Sequence, residues 1–282
     1  VDDKRPGRTV ELEVRALDGS RGTAKHDAVV TEEPLEIRLA AGGDVQTLAV
    51  TMRTPGNDFE LAAGFVRSEG IVTRRDAIGA ITYCLDPEID PDQRYNVVNV
   101  ELAADTLPAL DRFERHFTTS SACGVCGRAQ LDALHDLGVA PIDDGTSVSP
   151  ELLYSLPARM RDAQRIFEST GGLHAAALFS TSGKPIAVRE DVGRHNAVDK
   201  LVGWGLMEGR LPFRETILMV SGRAGYEILQ KSAVARIPVV CSVSAPSSLA
   251  VALAREFNVT LVGFLRGERA NVYSASERIA LT

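Results

Sequence analysis

The chain is poor in the features that mark several protein classes, and each shortage narrows what it can be. Nowhere do about 18 apolar residues run together, the length a helix needs to span a bilayer, so no membrane-spanning helix is expected. Positive charge is in the minority: 31 Lys and Arg face 38 Asp and Glu, for a formal net charge of -7. A surface of that balance does not wrap nucleic acid or anionic lipid through unspecific electrostatics, so neither is expected as a partner. An anionic ligand has to find a local cluster of cations. The Gly-Lys-Ser/Thr ending of a Walker loop is absent, which argues against nucleotide hydrolysis. Residues Val1 to Arg8 are polar and lack the apolar stretch of a secretion signal, so a cytoplasmic location is expected. There is no internal repeat and no low-complexity segment.

Cysteine is scarce too, at four in 282 residues. An apolar share of 44% is enough to bury a core without covalent staples, so these thiols do not read as a disulfide framework. Cys84 and Cys241 sit in short apolar, strand-like runs and are expected as inert core residues. Cys123 and Cys126 differ, because they lie in Ser120-Ser121-Ala122-Cys123-Gly124-Val125-Cys126-Gly127, a run of small residues followed by Arg128 and an expected helix. Structural zinc would need four ligands, and only His116 and His135 lie near the pair in sequence. A thioredoxin-like dithiol would follow an early strand, whereas here another module precedes it. A sulfur carrier would use one thiolate to accept sulfur as a persulfide and present it on a flexible loop. A free thiol is only about 3% ionised at pH 7, and Arg128 with a helix start behind it would raise that fraction. The motif alone leaves carrier and redox thiol open.

The pattern of elements changes at the cysteine loop. Before it, strands are expected around Val10 to Val14, Leu35 to Leu39, Leu48 to Met52, Ile78 to Leu85 and Val97 to Leu102, with a helix from Asp58 to Glu69. This is a small α+β module, placed at residues 1–119. Beyond the loop, residues 120–282 read as an α/β core. It opens with a short helix from about Arg128 to Leu137 and a long helix from Pro150 to about Ser169, capped by Ser149 and ended by Gly171-Gly172. A hairpin follows around Thr181-Ser182-Gly183, and then helices at 197–207, 226–236 and 249–257 alternate with strands at 216–220, 239–243 and 260–264. Strands that are apolar almost throughout need helices on both faces, giving three layers.

Polar residues gather where the strands of this core turn into helices. Arg189 to Lys200 carries seven charged or imidazole side chains around Gly193, at a strand-to-helix turn. Ser221-Gly222-Arg223-Ala224-Gly225 and Ser244-Ala245-Pro246-Ser247-Ser248 occupy the next two such junctions. Small residues and free amides at the carboxyl edge of a parallel sheet are where open α/β folds bind ligands, and with Arg194 and Arg223 at hand a phosphate-bearing ligand is the natural reading. Capped turns with a salt-bridged surface are the simpler alternative.

Four of these stretches carry a resemblance. Ser-Ser-Ala-Cys-Gly-x-Cys-Gly at 120–127, Glu-Asp-Val-Gly-Arg-His-Asn-Ala-Val-Asp-Lys at 190–200, Ser-Gly-Arg at 221–223 and Gly-Phe-Leu-Arg-Gly at 263–267 resemble the FdhD/NarQ family of formate dehydrogenase accessory sulfurtransferases. The resemblance covers about Glu33 to Tyr273. It implies a homodimeric sulfur carrier that takes sulfur from a cysteine desulfurase. The sulfur passes to the molybdenum bis(molybdopterin guanine dinucleotide) cofactor before that cofactor enters formate dehydrogenase. Cys123 would bear the persulfide and Cys126 would be its partner. Phe264, Leu265, Arg266, Gly267, Glu268 and Arg269 would meet the guanine dinucleotide, with Arg194, His195, Ser221, Gly222 and Arg223 completing the cofactor site. The core would be cytidine-deaminase-like. The His-x-Glu and Pro-Cys-x-x-Cys deaminase signature is absent, so no catalytic metal is expected. Two rival readings are a cofactor-binding chaperone whose thiols only protect the metal centre, and a dithiol oxidoreductase.

Overall fold

A computed structural model describes residues 6–84, 90–109 and 127–281 of the chain. Its centre is a six-stranded mixed sheet. Strands β7 (His174–Ser180), β8 (Pro185–Asp191), β9 (Thr216–Val220), β10 (Val239–Ser242), β11 (Thr260–Arg266) and β12 (Arg269–Ser274) lie in the order β12-β11-β10-β9-β7-β8. The central pairs β9/β10 and β10/β11 are parallel, while β7 and β12 run antiparallel to their neighbours. The sheet is therefore mixed and not wholly parallel. The tight β7/β8 hairpin reverses the chain, and a two-residue turn at Gly267-Glu268 adds β12 to the edge.

The strands read as central because both faces are covered. Alternate residues of β7 divide between two cores: Ala176 and Leu178 pack with α5 (Arg194–Met207), α6 (Tyr226–Ala235) and α7 (Ser248–Glu256). Ala175, Ala177 and Phe179 pack instead with Leu153, Leu156 and Met160 of α3 (Pro150–Ala163). The period of two along the strand thus produces three layers. Cys241 lies in the second core and Cys84 is buried as well, both as free thiols.

A second, four-stranded sheet, ordered β4-β3-β6-β5, is built from β3 (Glu33–Ala41), β4 (Asp44–Arg53), β5 (Ile78–Tyr83) and β6 (Val97–Leu102). Its apolar face packs on α1 (Asp58–Ser68). The other side of α1 meets α5 at two glycines. A Cβ on Gly64 would lie 1.8 Å from the Asp199 carbonyl oxygen, and one on Gly203 1.8 Å from that of Glu60. Only residues without a side chain let these backbones touch. Leu206 of α5 joins the core of the four-stranded sheet.

Three local expectations are corrected. The hairpin of β1 (Thr9–Asp18) and β2 (Arg21–Val30) is longer than the strand expected around Val10. β2 has no buried face to impose an apolar alternation, since its residues are exposed or half-buried throughout. β12 was likewise hidden by exposure. The single helix expected from Pro150 to Ser169 breaks at Gln164 (φ -86°, ψ 84°) into α3 and α4 (Arg165–Thr170). The Glu190 carboxylate accepts the Ile166 and Phe167 amides at 3.2 and 2.9 Å, so a side chain distant in sequence caps the new start. The Ser149 cap is as expected, with its Oγ accepting from the Leu152 amide at 3.3 Å. The remaining α-helix of the described residues is α2 (Gly127–Asp136).

Candidate functional site at the sheet edge

The carboxyl ends of β8, β9, β10 and β11 share one edge of the six-stranded sheet, and β7 begins there because it runs the other way. The junctions singled out by sequence therefore line a common rim. Part of the 190–200 block serves to build that rim. Asp191 is fully buried and accepts from the Lys200 amine at 2.7 Å, the Gly193 amide at 2.8 Å and Asn196 Nδ2 at 3.0 Å. Lys200 also donates to the Thr54 carbonyl at 2.9 Å, and the Thr54 amide returns a bond to Asp191 at 3.2 Å. Burial pushes the Lys200 amine below its ordinary range, against the pull of the Asp191 carboxylate. Asp199 pairs with Lys231 at 2.8 Å and accepts from Ser68 Oγ at 2.8 Å. These four charges lock β8, α5 and α6 to Thr54, the residue after β4, and to α1.

Arg194 and His195 start α5 and stand at the rim. His195 Nδ1 lies 2.7 Å from Glu227 Oε2, and this hydrogen bond is the main reason the Glu227 carboxyl is held below the usual range. His174, the first residue of β7, is the neighbour that sequence reasoning missed. It pairs with Asp191 in register, and a Cβ on Gly222 would sit 3.3 Å from its ring and 3.7 Å from Arg194 Cδ. Burial first, then the charges of Arg194 and His195, hold its imidazole below the ordinary pKa. Ser221 closes the group, its Oγ accepting from the Ala175 amide at 2.8 Å. His174, Arg194, His195, Ser221 and Gly222 are thus brought together, and Arg223 follows, exposed. The hairpin was the available signal for His174. Pairing β7 with β8 must set its first residue beside the end of β8.

The second group lies toward the other end of the rim. Phe264, Arg266, Glu268 and Arg269 line an open groove of about 750 Å³ together with Tyr154 of α3 and Asn271 of β12. Tyr154 and Asn271 were not foreseen. Phe264 has φ 53°, a backbone region costly for a bulky L residue, and the residue is 45% exposed. Its amide donates to the Ser244 carbonyl at 3.1 Å, and Arg266 Nε donates to that of Val243 at 3.0 Å, so the β10 junction shapes the groove floor. Leu265 points the opposite way and is fully buried against the α3 core, where its part is packing. Gly267 makes the β11/β12 turn at φ 54°. From β9 to β11 are two strand spacings, roughly 10 Å, and from β8 to β11 four, roughly 19 Å. The strand order sets the two groups apart. They are two stations along one edge.

The residues present suit a phosphate-bearing ligand. Arg194 Nε is sealed from solvent with no hydrogen-bond partner among the described residues, a donor that an oxyanion would satisfy. Arg266 and Arg269 line the groove beside an exposed aromatic face. Among the described residues no group of three or more His, Cys, Asp or Glu could hold a metal ion, and no helix is long and apolar enough to cross a membrane. Cys123 and Cys126 lie outside the described residues. Cys126 directly precedes Gly127, the first residue of α2.

The chain resembles known proteins over nearly its whole length. It is 52% identical to the sulfur carrier protein FdhD of Streptomyces avermitilis, over 98% of this chain and 97% of that one. It is 45% identical to the sulfur carrier protein FdhD of Mycobacterium tuberculosis, over 96% and 98%. A crystal structure from Desulfotalea psychrophila, described as that of a formate dehydrogenase accessory protein, superposes with a TM-score of 0.74 at 25% identity, covering 97% of this chain and 100% of that one. The family model for FdhD/NarQ matches residues 30–280. The chain belongs to the FdhD/NarQ family.

Proposed function

We propose that the protein is a cytoplasmic sulfur carrier, acting as a persulfide sulfurtransferase in the maturation of formate dehydrogenase. The carrying observation is that relatives named as sulfur carriers align with it almost end to end, over a sequence with a Cys-x-x-Cys pair at 123–126. In this reading the Cys123 thiolate takes the outer sulfur of a cysteine desulfurase persulfide, whose own thiolate leaves. Cys123 then passes that sulfur on and returns to a thiolate. The α2 N-terminus directly after Cys126 and the Arg128 cation favour the thiolate form.

The acceptor is the molybdenum bis(molybdopterin guanine dinucleotide) cofactor, bound as substrate. Phe264 offers a ring for a guanine base, Arg266 and Arg269 offer charge for its phosphates, and Arg194, His195 and the Ser221–Arg223 turn extend that surface along the rim. The core is of cytidine-deaminase type, a reading supported by the mixed sheet with its antiparallel β7 between β8 and β9. A homodimer is part of the same proposal.

The test is mass spectrometry after incubation with cysteine and a cysteine desulfurase. A gain of one sulfur mapped to Cys123, with loss of cyanide-releasable sulfur in Cys123→Ala, supports the carrier. Full loading of Cys123→Ala rejects the assignment. Activation of formate dehydrogenase by Cys123→Ser would favour a cofactor chaperone, and turnover of a model disulfide would favour a dithiol oxidoreductase.

A further inference from the structure

Away from the sheet edge, a second concave site lies where three helices end. α1 closes before Gly70, α2 before Gly138 and α6 at Arg236. The hollow between them has a volume of about 380 Å³ and is lined by Arg67, Arg214 and Arg236 together with Leu137, Val139 and Val234. No Asp or Glu among the described residues lines it. Among the described residues none of the three arginines has a carboxylate within ion-pair distance. That is unexpected in a chain where acids outnumber bases.

Helix ends attract cations, and this accounts for only part of the cluster. The partial negative charge at a helix C-terminus is about half a unit, so three such ends offset about half of three guanidinium charges. The donors point the same way. Arg67 spends Nη2 on the Val234 carbonyl at 2.9 Å, while its Nε is sealed from solvent with no partner among the described residues. Arg236 donates to the carbonyls of Ala140 and Pro141 from a residue at φ 63°, a C-cap position where glycine is the undemanding choice. The Arg214 guanidinium makes no hydrogen bond or ion pair among the described residues, and its only bond is from the backbone amide to the Pro212 carbonyl at 3.0 Å. Burial with no compensating carboxylate also holds the Arg67 guanidinium below its ordinary range. The hollow thus carries surplus charge, spare N–H donors and an aliphatic wall.

We propose that this hollow binds a small phosphorylated compound, separate from the ligand surface at the sheet edge and independent of the sulfur-carrier reading. Guanidinium forks match phosphate oxygens in pairs, and an oxyanion of charge near two balances the surplus. The space exceeds a bare phosphate, so a short aliphatic remainder fits against Leu137, Val139 and Val234. Among the described residues no aromatic ring lines the hollow on which a nucleobase would stack.

The experiment follows the arginine side-chain Nε–Hε resonances of the full-length protein by NMR, with inorganic phosphate as probe and sodium chloride of equal ionic strength as reference. The Arg67 resonance is identified by its loss in Arg67→Lys. The expected result is a saturable shift of that resonance with phosphate alone. In Arg214→Ala, a substitution at an exposed residue, the half-saturating concentration rises tenfold or more. In Arg266→Ala, which alters only the sheet-edge groove, the titration is unchanged. A shift that follows chloride as it follows phosphate overturns the proposal. So does a titration unaltered in Arg214→Ala, or one abolished in Arg266→Ala.

Discussion

Lys200 is the residue on which the rim most depends. Its amine holds Asp191, and through it the turn that carries Arg194 and His195. Both partners are buried, so removing one leaves the other charged and unpaired in a medium that solvates it poorly. Lys200→Ala is expected to cost about 3–5 kcal/mol in urea denaturation. Lys200→Met combined with Asp191→Asn should cost less than the sum of the two single changes, because no lone charge remains. His174 supplies a pH dependence. Its folded pKa lies below the unfolded value of about 6.5, so below that pH the unfolded chain binds the extra proton first. Stability contributed by the neutral ring is complete above pH 6.5 and is lost as the pH falls toward the folded pKa. A thermal melt series from pH 7.5 to 5.5 should therefore slope less steeply in His174→Gln than in the parent, and equal slopes would remove His174 from this role.

At the scale of elements, the decisive contact is α1 against α5. Alanine in place of a mid-helix glycine ordinarily gains roughly 0.5–1 kcal/mol. At Gly203 the added methyl would meet backbone, the Glu60 carbonyl at 1.8 Å, and backbone cannot swing aside. Gly203→Ala is expected to lower stability by about 3 kcal/mol, measured by urea denaturation, since the helices must separate to admit it. A neutral or stabilising result would mean the helices are free to part. This contact also marks where the sequence became hard to read. Gly203 sits in a helix that local pattern found correctly, and α1 was equally plain, but nothing in either stretch says that the two backbones touch. Strands with a buried face, such as β3 and β9, were legible from their apolar residues, whereas β2 and β12 face solvent and carry no such signal. The break between α3 and α4 depends on Glu190, more than twenty residues away. The candidate site divided in the same manner. Phe264 and Arg266 announced themselves in a motif and Arg269 followed from the family resemblance, while Tyr154 and His174 reach the rim only through the topology, and Asp191 and Lys200 proved to be structural members of a block that reads as a ligand site.

At the scale of the whole molecule, the question is whether the halves built on the six-stranded and the four-stranded sheet unfold together. Chains of this length often pass through intermediates in which one part stays folded. Here the surface between the parts is an expensive one to open. Parting α1 from α5 removes Ser68 from Asp199, and withdrawing β4 removes the Thr54 amide from Asp191 and the Thr54 carbonyl from Lys200. Each of those groups is buried, and an unsatisfied buried hydrogen-bonding group costs about 1–3 kcal/mol, more where it is charged. Leu206 would leave the core of the four-stranded sheet in the same event. A state with one half open therefore pays for several unpaired groups at once while recovering only part of the chain entropy, and it should not accumulate. The single tryptophan, Trp204 of α5, is half-buried, stacks on Phe213 and packs against the core of the six-stranded sheet. Its fluorescence and the far-ultraviolet circular dichroism are expected to share one denaturant midpoint. A dichroism change that precedes the fluorescence change would mean that the four-stranded sheet melts by itself and that the buried pairs fail to couple the halves.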